Sequence, residues 1–323
     1  MNNERQDHLS SRVQEWAVQA AAGKGAIVLG TERLYGGMSA LMHKVILQSA
    51  EGAIRQIVVR QFTNQDWLQE EPDLARHEAG SLRLAGRAAI QTPELIAYDE
   101  SGTDCGIPAV VMSMLPGRVI LQPPDRDTWL DKLAEALVRI HAVDIEAASP
   151  DDADGFHWRY SSYQNHDTFE VPEWSRYPEL WTRAIAILRG GGPKSPTCFI
   201  HRDYHPNNVL WEDGAVGGVV DWVNACEGPP GVDIGHCRVN LAQLYGIDEA
   251  DSFLSAYMRY SHALLDTEFD YNPYWDLVSL ADILFGPPTV YAGWTDLGMT
   301  GLTDERITER LDEYFVSIMH RLE

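Results

Sequence analysis

The stretch Cys198–Trp222 reads CFIHRDYHPNNVLWEDGAVGGVVDW. It constrains the fold more than any other segment, because a polar loop and a tight turn are set between short apolar runs. Asp213-Gly214 is a strong two-residue hairpin signal. Counting back from that turn, Trp211 opposes Val216 and Asn208 opposes Val219. Asp221 then lies one diagonal step further on the same face, roughly 7–8 Å away at the Cα. Asp203 sits on the loop that feeds this open end. Asp203, Asn208 and Asp221 would therefore converge. Three oxygen acceptors form a sparse set of the kind magnesium takes, with water and phosphate filling its other positions. An Asn or an Asp near a strand end more often caps a turn, and the argument rests on the convergence of all three. His201 and His205 could be read as a metal pair, but their spacing of four aligns side chains only on a helix, and Pro206 opposes one. His201 reads instead as a buried residue that organises the loop.

The chain on either side has two characters. Residues 8–22 have apolar positions Leu9, Val13, Trp16, Val18 and Ala20 and read as an amphipathic helix. The runs AIVLG, LMHKVILQ, IRQIVVRQF, ELIAYDE and PAVVMSML read as strands. The segment TERLYGGMSA breaks the first two apart. PDLARHEAGSLRLAGRAA reads as one helix, started by Pro72-Asp73. Pro116-Gly117 ends this pattern, so we place a boundary there, giving regions 1–115 and 116–323. Beyond it RDTWLDKLAEALVRIHAV, DSFLSAYMRYSHALL, YWDLVSLADILF and DERITERLDEYFVSIMHRL all carry the helical period.

Composition excludes several classes of function. The formal net charge of −23 speaks against a nucleic-acid partner, which needs a basic stripe. The charge is uneven. Residues 1–116 hold 10 Lys+Arg against 14 Asp+Glu, and the remainder hold 15 against 34. This could be an ordinary solvating surface or an acidic cleft for a cationic ligand. No run of eighteen apolar residues predicts a membrane span, and the first residues lack the apolar core of a secretory signal. The four cysteines include no C-x-x-C pair, so we expect a reducing, cytoplasmic location. Monomer or weak dimer is the expected state.

HRDYHPNN fits H-x-D-x-x-x-x-N, and VVDW stands where a kinase-like fold carries its metal-binding Asp. With these motifs the chain resembles the aminoglycoside phosphotransferase family, relatives of protein kinases that phosphorylate small-molecule hydroxyls. Further segments are similar: LYGGMSALMHKV to the glycine-rich phosphate loop, IVVRQF to the third strand and HEAGSLRLAG to helix C. AVVMSMLPG resembles the hinge, and GPPGVDIGH the segment after the metal Asp. The resemblance implies an α+β, two-lobed protein-kinase-like fold. A small N-terminal antiparallel sheet would bind ATP or GTP, and a larger, mainly helical lobe would hold the acceptor.

Carried over by position, the resemblance makes Asp203 the catalytic base and Asn208 and Asp221 the Mg2+ ligands. Asp233 becomes a structural acceptor bracing the catalytic loop. Gly36, Gly37 and Ser39 would cover the phosphates, and Met112, Ser113 and Met114 would lie against the base. One position departs from the family: Arg60 stands where lysine is expected. In QIVVRQF, Val58, Arg60 and Phe62 share a face, so Arg60 can pair with Glu78. It reads as a phosphate clamp, with a purely structural ion pair or Lys44 as alternatives. For the acceptor, EFDYNPYWD and VYAGWTD offer Glu268, Asp270, Tyr274, Trp275, Asp276 and Trp294. The neighbouring Tyr271, Tyr291 and Asp296 belong to the same segments. A polycationic acceptor would use the carboxylates, and a neutral metabolite or macrolide would use the aromatics. A protein kinase is disfavoured, since GPPGVD follows Asp221 too soon for an activation loop and A-P-E is absent.

Overall fold

The computed structural model describes residues 9–34, 40–146, 156–265 and 270–323. Gly36, Gly37, Ser39 and Glu268 lie outside the described residues. The chain divides into two compact units. The first comprises Met1–Arg87, Gln91–Pro116 and Trp222–Asn224, and the second Ala88–Ile90, Gly117–Asp221 and Ala225–Glu323.

The first unit opens with helix α1 (Ser11–Ala22), whose N-cap Ser10 accepts a hydrogen bond from the Val13 N–H. Strands β1 (Ile27–Leu34), β2 (Leu41–Gln48) and β3 (Ile54–Gln61) follow. Helices α2 (Gln65–Glu70) and α3 (Leu74–Ala85) come next, then β4 (Leu95–Asp99) and β5 (Ala109–Ser113). All five expected strands are present. They form one antiparallel sheet in the order β1-β2-β3-β5-β4. The two-residue alternation of β3 sorts its side chains between the faces. Ile57 and Val59 join Val45, Leu47, Ala109 and Val111 against Val13, Ala17 and Ala21 of α1. Arg60 points the other way, where α3 supplies its partner.

The second unit is mainly helical. Its helices are α4 (Arg126–His141), α5 (Pro178–Arg189), α6 (Pro230–Leu244), α7 (Ile247–Leu265), α8 (Tyr274–Asp282), α9 (Ala292–Asp296) and α10 (Asp304–Leu322). Two small antiparallel ladders interrupt them: β6 (Cys198–Ile200) with β9 (Cys226–Gly228), and β7 (Val209–Glu212) with β8 (Ala215–Val219). Helix α6 is the central element, with nearly every residue buried. Gly231 and Gly235 let α8 approach it closely. A Cβ at Gly235 would stand 2.4 Å from the Trp275 carbonyl oxygen, and one at Gly231 would stand 2.2 Å from the Trp275 ring. Asp213 and Gly214 both have positive φ, 48° and 75°, as the expected two-residue hairpin turn requires.

The register of that hairpin departs from the count made on sequence. Trp211 does oppose Val216, but Leu210 opposes Gly218, so Gly217 is an extra, bulged residue. The bulge moves the pairing by one, and Val209 rather than Asn208 faces Val219. Asn208 ends a short 3-10 turn, Pro206–Asn208, and its carbonyl accepts the Val220 N–H at 2.9 Å.

Candidate active site

The catalytic-loop candidates are held from below by one buried carboxylate. Asp233, in the first turn of α6, is fully buried. Its Oδ2 accepts the His201 N–H at 2.7 Å and its Oδ1 accepts the Arg202 N–H at 2.6 Å. His141 of α4 lies beside the same Oδ2 through Nε2, 3.1 Å away, and its Nδ1 meets the Tyr257 hydroxyl of α7 at 2.7 Å. The loop backbone is thereby tied to three helices. These bonds satisfy N–H groups that the sharp turn leaves without ladder partners. Arg202 takes a left-handed conformation, φ 71°. Its guanidinium donates to the Ser161 carbonyl and stacks on Tyr163, 3.8 Å from the ring centroid, and on Tyr160 at 4.5 Å.

His201 then joins the two halves of the site. Its Nδ1 accepts the Asp203 N–H at 3.3 Å, so Nε2 carries the proton and donates to the Val220 carbonyl at 2.9 Å. Val220 also donates to Asn208. The following residue, Asp221, has φ 67°. Asp tolerates this region better than most residues, and such backbone clusters at functional sites. Asp203, Asn208 and Asp221 are thus linked through one short network. The Asn208 Nδ2 donates to the Asp203 carbonyl at 2.8 Å and to Asp203 Oδ2 at 3.3 Å. Its amide nitrogen is committed, so the side-chain oxygen is what Asn208 offers a cation. Together with the Asp221 carboxylate it could give a cation oxygen donors only, the kind Mg2+ takes.

Two histidines complete the surroundings of Asp203. His236 Nε2 lies 3.0 Å from Asp203 Oδ1 and His205 Nε2 lies 3.6 Å from it. The Asp203 side chain is 31% exposed. Burial raises the pKa of this carboxyl, but His205, His236 and His201 together outweigh it and hold the group well below the usual carboxylate range. Burial lowers His205 to about 4, against the pull of Asp203. Tyr291 belongs to the same neighbourhood. Burial pushes its hydroxyl up first, followed by the charges of Asp203, Asp221 and Asp296. Sequence reasoning gave His236 no role. The signal was present, since Asp233 and His236 are three apart in GVDIGH and share a face once that segment is helical. The sequence offers His205 only as a disfavoured metal partner of His201. Its actual neighbours, Asp203 and His236, come from its own loop and from α6.

In the first unit Arg60 Nη1 donates to Glu78 Oε1 at 2.6 Å, with the two side chains 2% and 1% exposed. Lys44 instead reaches Glu32 on β1, 3.7 Å away. Met112 is buried on β5 opposite Val58, while Ser113 and Met114 are partly exposed at its end. The Ser113 hydroxyl oxygen accepts the Glu94 N–H, and the Met114 N–H donates to the Gln56 carbonyl.

The acceptor candidates separate. Asp276 is fully buried, and its Oδ1 accepts from Arg238 Nε at 2.8 Å, Tyr271 Oη at 2.7 Å and Tyr314 Oη at 2.8 Å. This carboxylate is a core ion-pair partner and offers no face to an acceptor. Trp275 is packed against the α6 glycines, Tyr274 stands edge-on to it, and Trp294 is 3% exposed. Asp270 and Asp296 are exposed.

The sequence model described as "Phosphotransferase enzyme family" matches residues 40–280, three quarters of the chain. The chain belongs to the phosphotransferase enzyme family. Two curated proteins are similar to parts of it. One is acyl-CoA dehydrogenase family member 10 of Mus musculus, 25% identical over 197 residues that cover 57% of this chain and 18% of that protein. The other is N-acetylmuramate/N-acetylglucosamine kinase of Caulobacter vibrioides, 28% identical over 179 residues that cover 48% of this chain and 46% of the kinase. The matches therefore span less than half of either relative. Solved phosphotransferases share the fold over nearly the whole chain. A thermostable mutant of an aminoglycoside phosphotransferase, in ternary complex with AMP-PNP and hygromycin B, superposes with a TM-score of 0.59 at 17% identity, covering 95% of this chain and 99% of that one. The macrolide 2'-phosphotransferase of Brachybacterium faecium has a TM-score of 0.55 at 17% identity, with 92% and 98% covered. These phosphotransferases share with this chain an N-terminal antiparallel sheet followed by a mainly helical region.

Proposed function

We propose that this phosphotransferase moves the γ-phosphoryl group of ATP, or GTP, to a hydroxyl of a small, sugar-like acceptor. The observation that carries the reading is the state of Asp203. It is a carboxylate a third exposed, with His236 and His205 beside it and Asn208 hydrogen-bonded to it. Phosphoryl transfer asks the protein for alignment and charge neutralisation rather than covalent chemistry. Asp203 would accept the hydrogen bond of the acceptor hydroxyl and aim its oxygen, since an ionised carboxylate is a weak base toward an alcohol. Asn208 and Asp221 would hold Mg2+. When bound, that ion supplies charge neutralisation at the phosphate oxygens. Arg60, paired with Glu78, would hold the phosphates with its guanidinium. Gly36, Gly37 and Ser39 would offer backbone N–H groups to the phosphates, and Met112–Met114 would lie along the base. His201 and Asp233 position the loop and touch no reactant.

The acceptor class we favour is an amino sugar, because the Caulobacter vibrioides relative is a kinase of amino sugars. Tyr291 would then pack on the sugar ring beside Asp203. A polycationic antibiotic is the second reading, motivated by the acidic second region and by the exposed Asp270 and Asp296. The test is a screen of amino sugars, aminoglycosides and macrolides with γ-labelled ATP and Mg2+, on the parent chain and on Asp203→Asn. Label should move to at least one acceptor and should cease to move in the variant. Equal transfer by parent and variant would overturn the assignment, and so would transfer without Mg2+.

A further inference from the structure

Asp203, His205 and His236 bring two imidazoles and a carboxylate to one point, with one ligand atom from each within 4.8 Å of the other two. Two of the separations are 3.0 Å and 3.6 Å. Donors bound to a Zn2+-sized ion at about 2.0–2.1 Å stand roughly 2.8–3.4 Å apart at square or tetrahedral angles. The cluster is thus close to the spacing a single such ion imposes. His205 supplies a second observation. Its Nδ1 is buried and has no hydrogen-bonding partner among the described residues. Its Nε2 faces Asp203 Oδ1 at 3.6 Å, beyond hydrogen-bond reach. A ring 15% exposed, with no protein hydrogen bond and its Nε2 aimed at a carboxylate across a gap, leaves room for a third body between the two.

We propose that Asp203, His205 and His236 form a binding site for one late transition-metal ion of the Zn2+ or Co2+ class, and that its occupancy blocks phosphoryl transfer. Nitrogen donors select these ions over Mg2+, which prefers oxygen. The site is therefore distinct from the oxygen pair Asn208 and Asp221. Three protein ligands leave further positions to water, so the ion sits at an open site. Bound metal occupies Asp203 Oδ1, the oxygen that the proposed function needs for the acceptor hydroxyl. The blocking step rests on that reading, whereas the binding step does not.

Co2+ titration of the full chain, followed by visible absorption, separates the two. One equivalent of Co2+ should develop a d–d band that Zn2+ abolishes and excess Mg2+ leaves intact. His205→Gln and His236→Gln should each weaken Co2+ binding by about 100-fold or more, since even an outer partner of a metal ligand is worth 10–100-fold. Thermal melts of both variants check that they fold. Asn208→Ala should keep the band, because it lies in the other donor set. Zn2+ should inhibit transfer at saturating Mg2+ in the parent and not in those histidine variants that retain activity. Absence of a band, or an unchanged band in both histidine variants, would overturn the site. A band with those properties but no inhibition by Zn2+ would keep the site and overturn the blocking, and with it the role given to Asp203.

Discussion

Asp203 and Asp276 lie in the same unit, and each is held by three or more polar side chains. Asp276 faces a permanent cation, Arg238, and two tyrosine hydroxyls, and is fully buried. Asp203 faces two histidines and an asparagine and is a third exposed. The first set cannot be exchanged without leaving a charge uncompensated in the core. The second consists of imidazoles and an amide, which give up a partner at smaller cost. One carboxylate is therefore architecture, and the other keeps an open side that the proposed function would use. Both were acidic residues beside aromatic or polar neighbours in the sequence, and only the partner chemistry distinguishes them.

The largest effect should come from Asp203→Asn. Turnover should fall about 10²–10⁴-fold, the usual contribution of a positioned acid or base, while the melting temperature stays near that of the parent. A variant with near-parent turnover would remove the distinction between the two carboxylates. Asp276→Ala should do the opposite. Removing one member of a buried pair costs about 3–5 kcal/mol, read as a lower denaturation midpoint, with activity per folded molecule retained at low temperature. If Asp276→Ala leaves stability untouched, the Arg238 network is not holding α6, α8 and α10 as described.

The next contrast is between Arg60 and Lys44 in the first unit. A hydrogen bond to a charged group is worth roughly 1.5–3 kcal/mol, so Arg60→Ala should weaken ATP binding by about ten- to a hundredfold. Lys44→Ala, which loses only a contact to exposed Glu32, should stay within a few-fold. The reverse order in nucleotide titrations would move the clamp to Lys44.

A last effect, spread gradually over pH, is a slope in stability. His205 has a folded pKa of about 4, below its unfolded value near 6.5. The unfolded chain binds the extra proton between these values. Stability is therefore full above about pH 6.5 and declines as pH falls toward 4, by up to a few kcal/mol. Asp203 acts in the same direction at lower pH. Its depressed folded pKa gives stability that is present above the unfolded carboxylate value and lost as pH falls through the folded one. Denaturant melts across this range should show a shallower slope in His205→Gln than in the parent.

The sequence determined the periodic features. Alternation in IRQIVVRQF put Arg60 on the face opposite Ile57 and Val59, and Asp213-Gly214 set the hairpin turn, because both depend only on neighbours along the chain. The spacing of HRDYHPNN and VVDW carried the three oxygen candidates for the same reason. The hairpin register was one residue off, since a bulge at Gly217 changes the count without changing the turn. Tertiary structure alone decided the rest. Whether Asp276 lines a site or pairs with Arg238 depends on α6 and α10, which arrive from positions 38 residues away on either side. His236 meets Asp203 only because Asp233 clamps the loop onto the start of α6, which brings residues 33 positions apart to 3.0 Å. Local pattern fixes which face a side chain takes. What waits on that face is set by long-range packing, and the partner found there decides whether a carboxylate serves the core or the chemistry.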